Sequence, residues 1–480
     1  MLAFRNQRAM ILSTEELVQQ INTLTQQLKE ALAEIQILKA ENQALKAEIK
    51  VLKEKLNTNS TNSSTPPSQD PFRKKRRKDP TGKPQGAQPG HRGHARQLVP
   101  LEQVQIVHDL RPGACPSCAS AFFGDTPIST DIRQVVEVPE SPPQVTQYNI
   151  HTCCCSRCGK HVKANIPEEA KYGFGPRLMG LVTSLSGEFR LSKRQVTALL
   201  GKIGIRICAG SVCKIHDRAS SILQGPHEEI KQYTLQQKHL NADESSWKIL
   251  SQKKWLWTGC GKDSVFFEIK ASRSAQAFRE VFGSFTGGLT TDRYSAYNSH
   301  KGPRQLCWAH ADRDFEKIGS REGFDGFVGK ALKDCKTTIF DLWHTFKSSQ
   351  ITREELIRKI EAGPMEDVRC LLKAGAVHED CQNGTKATCL DFLDRFDMLW
   401  VFVYQEGIEP TNNTAERALR HGVIWRKLSY GSQSEAGAKF VERVMTVAAT
   451  LKLRAQNTFE YFTSCFRAYI YGSQAPPIIV

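Results

Sequence analysis

The stretch "QKHLNADESSWKI", residues 237–249, indicates the fold. It opens a series of segments that are rich in apolar, β-branched and aromatic residues and are broken by glycine and aspartate, which is typical of strands. The other segments are "KKWLWTGC" (253–260), "SVFFEIK" (264–270) and "GGLTTDRYSAYN" (287–298). Because helical patterns follow them, the sequence predicts a mixed α/β domain that begins near residue 235.

The helical patterns predict that this α/β domain is interrupted. "RQLCWAHADRDFEKI" (304–318) has helical spacing, and residues 321–400 are mostly helical by pattern. The stretch "GAKFVERVMTVAATLKL" (437–453) predicts an amphipathic helix. We therefore expect an α/β domain of residues 235–320 and 401–455, a helical insertion at 321–400, and a C-terminal tail at 456–480.

Three acidic residues stand where an α/β domain could gather carboxylates. Asp243 lies at the end or in the middle of a predicted strand, Asp292 follows another strand, and Glu416 begins a helix in "PTNNTAERALR" (410–420). Strand ends of an open sheet are well placed to converge, and oxygen ligands in this number suit Mg²⁺ or Mn²⁺. Two such ions can support an in-line phosphoryl displacement.

Each acid also has an ordinary structural interpretation. A lone aspartate at a strand end is by default a turn residue. The spacing Asn413-x-x-Glu416 is that of a helix capping box. The two interpretations of Glu416 are compatible, because a capped first turn would also fix its carboxylate.

Residues 1–56 predict a parallel dimeric coiled coil, a leucine zipper. Isoleucine-rich a positions and leucine-rich d positions favour two parallel strands, and Asn42 at an a position favours a dimer in one register. Glutamates at g precede lysines at e by five residues, so they can pair between chains. The a positions are Ile21, Leu28, Ile35, Asn42, Ile49 and Leu56, and the d positions are Leu17, Leu24, Ala31, Leu38, Leu45 and Leu52.

Residues 57–100 predict a polar linker followed by a basic arm. The net charge of the chain is +16, and residues 71–100 carry nine Lys or Arg and one Asp, which is +8, or half of the excess. Such a block is typical of an arm that meets nucleic acid, although a solubilising linker has the same composition. The candidate DNA contacts are Arg73, Lys74, Lys75, Arg76, Arg77, Lys78 and Arg92.

Residues 101–170 predict a small zinc-binding domain. "CPSC" and "CCCSRCGK" give two C-x-x-C pairs, and two such pairs can complete a structural Cys₄ Zn²⁺ site. The choice of ligands is not unique, because Cys153, Cys154 and His151 are further candidates. The alternative to a zinc site is a set of buried free thiols. The four expected ligands are Cys115, Cys118, Cys155 and Cys158.

Residues 171–234 predict short helices with basic outer faces and tight turns. This pattern fits a helix-turn-helix-like DNA-binding region. A plain helical connector explains it nearly as well.

The bulk composition excludes several classes of protein. The chain has 480 residues, of which 40% are apolar, so it can form more than one core. No run approaches 18 apolar residues, and no signal-length apolar run follows Arg5 and Arg8, so neither a membrane span nor a signal peptide is expected. Fifteen cysteines in such a chain favour thiols and metal over disulfides. We therefore expect a cytoplasmic protein.

Four motifs, in this order, resemble those of transposases of the insertion sequence 66 family: "NADESSW" (241–247), "TTDRYSAYN" (290–298), "CWAHADRDF" (307–315) and "NNTAERALR" (412–420). The heptad segment, the "NSSTPPS" linker, "GAQPGHRGH" and the paired C-x-x-C motifs precede them in the order of that family. The resemblance covers nearly the whole chain. It implies a ribonuclease-H-like fold whose DDE triad is Asp243, Asp292 and Glu416.

The resemblance also implies roles for other residues and partners. His310, Arg313 and Asn413 would support the triad, and Arg417 and Arg420 would contact the DNA backbone. The partners would be double-stranded DNA at the element ends and target and a second copy of the chain. A need for small accessory transposition proteins is left open by the sequence. Asp312 and Asp314 stand where the family leads us to expect a more basic pattern.

The implied activity is metal-dependent cleavage at the element end, which exposes a 3′-OH, followed by attack of that hydroxyl on target DNA. No ATP is needed, and the chain lacks the phosphate-binding pattern G-x-x-x-x-G-K-[ST]. The rival functions are a catalytically inactive DNA-binding protein or transposition repressor, and a nuclease that cuts without joining. A broken acid would favour the first rival, and none of the three is broken.

Overall fold

A computed structural model of the chain describes residues 14–57, 98–120, 129–138, 142–283 and 285–479. The basic block Arg73–Lys78 and Arg92 therefore lie outside the described residues. None of the described helices is both long enough and apolar enough to cross a membrane.

The N-terminal segment is one long helix, α1 (Thr14–Asn57). Its heptad side chains are open to solvent; Leu24 is 64% exposed and Leu28 is 61% exposed. An uncovered apolar stripe on a helix needs a partner surface. The pairing of two such helices stays a prediction.

The chain divides into two compact units. The larger contains Met1–Arg73, Phe174–Ser192 and Lys214–Val480, and the smaller contains Lys74–Gly173 and Lys193–Cys213. In the smaller unit, β1 (Thr152–Cys154) pairs with β2 (His161–Lys163) in an antiparallel hairpin, and α3 (Lys193–Lys202) is its helix.

The larger unit is built on a mixed sheet of five strands in the order β5-β4-β3-β6-β7. Neighbours β3, β4 and β5 are antiparallel, while β6 runs parallel to both β3 and β7. The mixed α/β class predicted from the sequence is therefore confirmed. The strands are β3 (His239–Ile249), β4 (Gln252–Cys260), β5 (Val265–Lys270), β6 (Gly288–Thr291) and β7 (Arg304–Leu306).

Helices cover this sheet and its edge. α6 (Ala275–Phe282) connects β5 to β6 and begins at Ser274, whose side chain accepts the Ala277 N–H. α13 (Asn413–Ser429) and α14 (Glu435–Leu453) supply Leu419, Val441 and Met445 to a core that includes Leu256 and Phe267 of the sheet.

The backbone N–H groups along the outer edge of β5 donate hydrogen bonds to side chains of α14 rather than to another strand. Unpaired N–H groups on an edge strand need acceptors. Acceptors four residues apart on a helix rise about 6 Å, which approximates the ~6.6 Å between alternate residues of a strand. The N–H groups of Val265, Phe267 and Ile269 donate to Thr450 Oγ1 (3.1 Å), Thr446 Oγ1 (3.0 Å) and Glu442 Oε1 (2.6 Å), respectively.

The region 171–234 forms short helices, as its sequence pattern indicates, and its DNA-binding role stays a prediction. Its first helix, α2 (Pro176–Gly187), packs against the last helix of the chain and against α14. A Cβ on Gly180 would lie 2.6 Å from Thr463 Oγ1, and one on Gly187 would lie 2.2 Å from Val444 Cγ2, so both glycines permit close helix packing. The other helices of the region are α4 (Ala209–Ile222) and α5 (Gln224–Leu235).

The prediction of a C-terminal tail at 456–480 was wrong. Residues Thr458–Tyr471 form α15, which begins at Asn457, the acceptor for two backbone N–H groups. Its buried side chains include Phe462, Cys465 and Phe466. The partner of this apolar face is α2, which is distant in the sequence, so the segment looked unsupported when considered by itself.

The helical insertion has its own core. Val328, Leu332 and Phe392 pack with Trp308 and Phe315 of the preceding helix. The segment 304–318 is not one helix, because its first three residues form β7. The helices are α7 (Trp308–Gly319), α8 (Gly323–Lys347), α9 (Arg353–Glu361), α10 (Pro364–Val377), α11 (Asn383–Asp394) and α12 (Val401–Tyr404).

We predict that Thr450→Val lowers the free energy of unfolding by about 1–3 kcal/mol, because it keeps the shape but leaves the buried Val265 N–H without its acceptor. Thr450→Ser keeps the hydroxyl and is the matched control. Urea denaturation of both variants measures the effect. Equal stability of Thr450→Val and the parent would contradict this account of the β5 edge.

Candidate functional site

Two of the three acids are brought together by the parallel pairing of β3 with β6. The register pairs Asn241 of β3 with Thr290 of β6. Asp243 and Asp292 each follow their residue of this pair by two positions. Side chains at matching positions of neighbouring parallel strands lie on the same face of the sheet. The sequence prediction that these two aspartates converge at one end of the sheet thus has a direct geometric basis.

The backbone after β6 is held in a fixed turn around Asp292. The Tyr294 N–H donates to Asp292 Oδ1 at 2.9 Å. The Arg304 guanidinium is almost fully buried and donates to the Asp292 carbonyl at 2.7 Å and to Thr291 Oγ1 at 2.9 Å. Asp292 therefore presents its carboxylate from a turn whose backbone is satisfied.

The pKa values show that these carboxylates repel one another. Burial raises the pKa of Asp243 well above its usual range, and the charges of Glu244, Asp292 and Glu416 raise it further. Burial also raises the pKa of Asp292. Because burial and three neighbouring carboxylates disfavour the charged form of Asp243, positive charge near this residue would stabilise its carboxylate.

Glu416 lies in the first turn of α13 and faces two groups of α7. Its Oε1 is 3.6 Å from His310 Nδ1 and 3.7 Å from Arg313 Nη2. Within the described part of the chain, neither Glu416 Oε1 nor His310 Nδ1 has a hydrogen-bond partner, although both atoms are buried. Burial and the nearby Arg313 and Arg293 lower the pKa of His310 to about 3, so its imidazole is neutral.

Asn412 attaches the start of α13 to the strand that carries Asp243. Its side chain is fully buried. Asn412 Nδ2 donates to the Ala242 carbonyl at 2.8 Å, and Asn412 Oδ1 accepts from Asn241 Nδ2 at 3.2 Å. The Asn412 N–H donates to Cys307 Sγ at 3.1 Å. Asn412 thus ties the start of α13, the helix that carries Glu416, to the strand that carries Asp243.

The predicted capping box between Asn413 and Glu416 was wrong. The residue before the helix is Asn412, whose side chain makes no capping bond, because the strand already uses it. Asn413 is the first helical residue and is exposed, and Glu416 is therefore the fourth. The prediction from the sequence named Asn413 and not Asn412. The sequence offered only one signal for Asn412, which is that it directly precedes Asn413.

Comparison with known proteins finds family matches along the chain. Residues 174–440, more than half of the chain, match the family described as transposase IS66 family. The chain belongs to the IS66 family of transposases. Residues 8–97 match a family of unknown function, DUF6444.

One curated relative of the chain is the uncharacterized protein y4qI of Sinorhizobium fredii. It is 24% identical over 250 residues, which are 47% of this chain and 46% of the relative. The chain thus matches about half the length of that relative.

A fourth carboxylate, that of Glu244, interacts electrostatically with Asp243 and Asp292. The Tyr297 hydroxyl donates to Glu244 Oε2, and Arg273 Nη1 lies 3.9 Å from Glu244 Oε1. Burial and the charge of Asp292 raise the pKa of Glu244 to about 7. The sequence analysis gave Glu244 no role. Its position next to Asp243, in a strand with many buried residues, was the signal that it could belong to the same site.

The two unexpected aspartates of α7 are paired within the larger unit. Asp314 Oδ2 accepts from Arg293 Nη2 at 2.6 Å, and Asp312 lies 3.8 Å from Lys336 of the insertion. Arg293 also pairs with Asp391 of α11. These acids therefore connect α7 to its neighbours, which explains the departure from a basic pattern.

Arg417 and Arg420 are exposed on the outer face of α13. Arg417 donates to Thr414 Oγ1 at 3.4 Å, within the same helix. Arg420 follows Glu416 by four residues, which places the two on the same face of the helix, whereas Arg417 is the next residue and points elsewhere.

The expected zinc ligands form two matching turns in the smaller unit. In each, the N–H four residues after the first cysteine donates to that cysteine's carbonyl, Ala119 to Cys115 at 2.9 Å and Gly159 to Cys155 at 2.8 Å. Each of those donors has a positive φ. The structure does not draw the four sulfurs into one compact group; among the described residues, such a group is formed by Cys307, His310 and Glu416, whose ligand atoms lie within 4.8 Å.

We predict that Asn412→Ala lowers the free energy of unfolding by about 1–3 kcal/mol, because it leaves the Ala242 carbonyl without a donor and removes a buried side chain. Asn413→Ala is the matched control and should stay within about 0.5 kcal/mol of the parent. Thermal or urea unfolding measures both. A larger loss for Asn413→Ala would restore the capping interpretation.

Proposed function

We propose that this chain is a DNA transposase that binds the ends of its insertion sequence and catalyses metal-dependent phosphodiester cleavage and strand transfer. One observation carries the proposal: Asp243 on β3 and Asp292, directly after β6, lie at matching positions along two parallel neighbours, and the charge of Glu416 on α13 raises the pKa of Asp243. The family membership supports the same class of reaction.

The sheet supports a ribonuclease-H-like assignment for the catalytic domain. Numbered from β3, the five strands have the order 3-2-1-4-5, and only the second is antiparallel to the rest. The first acid is on the first strand and the second acid follows the fourth. The third is on a helix that packs on the sheet, so the proposed triad comes from three separate elements.

The donor set fits a hard divalent cation. Asp243, Asp292 and Glu416 offer carboxylate oxygens, the mutual repulsion of these acids would be relieved by positive charge, and Glu416 Oε1 is buried without a described hydrogen-bond partner. These three residues would hold Mg²⁺ or Mn²⁺. The bound ions would supply activation of the attacking oxygen and stabilisation of the leaving oxygen.

Other side chains prepare this proposed site. Asn412 holds the helix of Glu416 against β3. His310 stays neutral opposite Glu416, so it adds no charge that would compete with a cation. Tyr297 orients Glu244 through its hydroxyl. Arg417 and Arg420 would bind phosphates beside the triad.

The proposed reaction uses one site for two steps. Water attacks the phosphodiester at the element end, and the leaving oxygen becomes a free 3′-OH. That hydroxyl then attacks a phosphodiester of the target, so each bond that breaks is replaced by one that forms. A transposition repressor would need only the binding groups, and the intact carboxylate group supports the enzyme over that alternative.

The remaining assignments are part of the same proposal. The basic arm, and α3 with its exposed Lys193, Arg194 and Lys202, would contact DNA. Cys115, Cys118, Cys155 and Cys158 would bind structural Zn²⁺, supported by the two matching turns. The chain would act at the bacterial nucleoid.

We predict that Asp243→Asn abolishes Mg²⁺-dependent cleavage of a duplex that carries the sequence flanking the gene, while binding of that duplex persists. Glu280→Gln, which neutralises an exposed acid of α6, is the control and should cleave normally. Gel analysis measures cleavage, and calorimetry with Mn²⁺ should show weaker metal binding in Asp243→Asn. Cleavage by Asp243→Asn would refute the triad, and binding without cleavage by the parent would favour the repressor.

We predict that Ile35→Asp makes the protein monomeric in light scattering, because a charge at an a position of α1 is buried in a zipper. Ala33→Asp places the same charge at the outer f position and should leave the dimer intact. A dimer that survives Ile35→Asp would refute pairing through α1.

A further inference from the structure

The tip of the β3–β4 hairpin is an unusual surface that the proposed site does not explain. Ile249 pairs with Gln252, so Leu250 and Ser251 form a two-residue turn. Leu250 has a φ of +54°, a left-handed conformation that favours Gly, Asn or Asp in such turns. Its side chain is 62% exposed. A leucine is thus held in a strained conformation and directed into solvent.

Lysines with unbalanced charge flank this leucine. Lys248 lies directly opposite Lys253 across the hairpin, and Lys254 is next along β4. Like charges in opposed positions destabilise a strand pair. Among the described residues, none of these three ammonium groups forms a salt bridge. The tip would therefore be stabilised by an anionic partner.

The tip is rigid because the chain after α13 braces it. The Leu250 N–H donates to the Ser432 carbonyl at 2.8 Å, and the Ser432 N–H donates to the Lys248 carbonyl at 2.9 Å. Trp247 Nε1 donates to Ser432 Oγ at 3.2 Å. A Cβ on Gly431 would lie 2.3 Å from the Lys248 carbonyl, so the two segments touch closely.

The bracing segment presents a second exposed side chain on a strained backbone, that of Tyr430. Tyr430 ends α13 with a φ of +58° and is 78% exposed. It precedes Gly431, which contacts Lys248. The surface therefore has two apolar side chains, Leu250 and Tyr430, fixed on a rigid support and surrounded by lysines.

We propose that this surface is a second DNA-binding element, in which Leu250 inserts as a wedge at a base step while Lys248 and Lys253 bind the flanking phosphates. Apolar wedges accompanied by basic side chains are how minor-groove proteins unstack and bend duplex DNA. The lysines favour duplex DNA over a second protein surface. This proposal rests on the proposed function, because it adds a contact for the same substrate.

The wedge would act at a defined distance from the acids. Leu250 follows Asp243 by seven residues on one extended strand, which corresponds to about 23 Å at ~3.3 Å per residue. At ~3.4 Å per base pair, this is about seven base pairs of duplex. A distortion there would bend the DNA next to the bond presented to the triad.

The test uses the full chain with Asp243→Asn as background, so that no cleavage occurs. Bound to a relaxed plasmid in the presence of topoisomerase, this protein should shift the linking number by unwinding. Adding Leu250→Gly, which suits a positive φ and removes the side chain, should remove most of that shift at equal occupancy without loss of thermal stability. Unwinding that survives Leu250→Gly would overturn the wedge.

The lysines are tested by salt dependence. In the same background, Lys248→Gln with Lys253→Gln should reduce the slope of log K against log salt by about one to two. Lys262→Gln at the other end of β4 is the matched control and should change it less. Equal slopes, or a loss of self-association in light scattering in place of a DNA effect, would refute the proposal. Failure of cleavage by the parent protein would count against the transposase activity alone.

Discussion

The hydrogen bond from Asn412 to the Ala242 carbonyl is the constraint on which the site depends. Asp243 and Asp292 are set by strand pairing, which needs only a register. Glu416 has no such pairing, because it belongs to a helix that follows a long insertion. The buried side-chain amide of Asn412 donates to the carbonyl of Ala242, one residue before Asp243, and so fixes the position of the start of α13. The third acid is thereby positioned by backbone geometry.

Burial of three acidic side chains, those of Asp243, Glu244 and Asp292, is unfavourable unless something compensates for it. Asp243, Glu244 and Asp292 all have raised pKa values, chiefly because of burial. Arg304 and the Tyr294 N–H oppose this effect at Asp292, and Tyr297 and Arg273 oppose it at Glu244. Asp243 has weaker support, from the Glu244 N–H. The pKa of Asp243 therefore stays raised at the position where a cation is proposed to bind, as is common at functional sites.

The sequence allowed the mixed sheet to be predicted, and with it the neighbouring strands that carry or precede Asp243 and Asp292, because strand patterns and strand-end acids are local features. Asn412 could not be told from Asn413, since the difference lies in which side chain faces β3. The packing of α15 on α2 was missed because its determinants, such as Gly180 and Thr463, are far apart in the chain. Glu244 was missed because a pKa raised by burial and a neighbouring charge depends on the folded environment.

The helix that carries Glu416 is attached to β3 at both of its ends. Asn412 bonds the Ala242 carbonyl before the helix, and Ser432 bonds the Lys248 carbonyl after it. A helix of 17 residues spans about 25 Å and seven strand residues span about 23 Å, so the two elements match in length. A rigid body therefore joins the acids to the hairpin tip. A force that DNA exerts on Leu250 would be borne by the same strand and helix that hold Asp243 and Glu416.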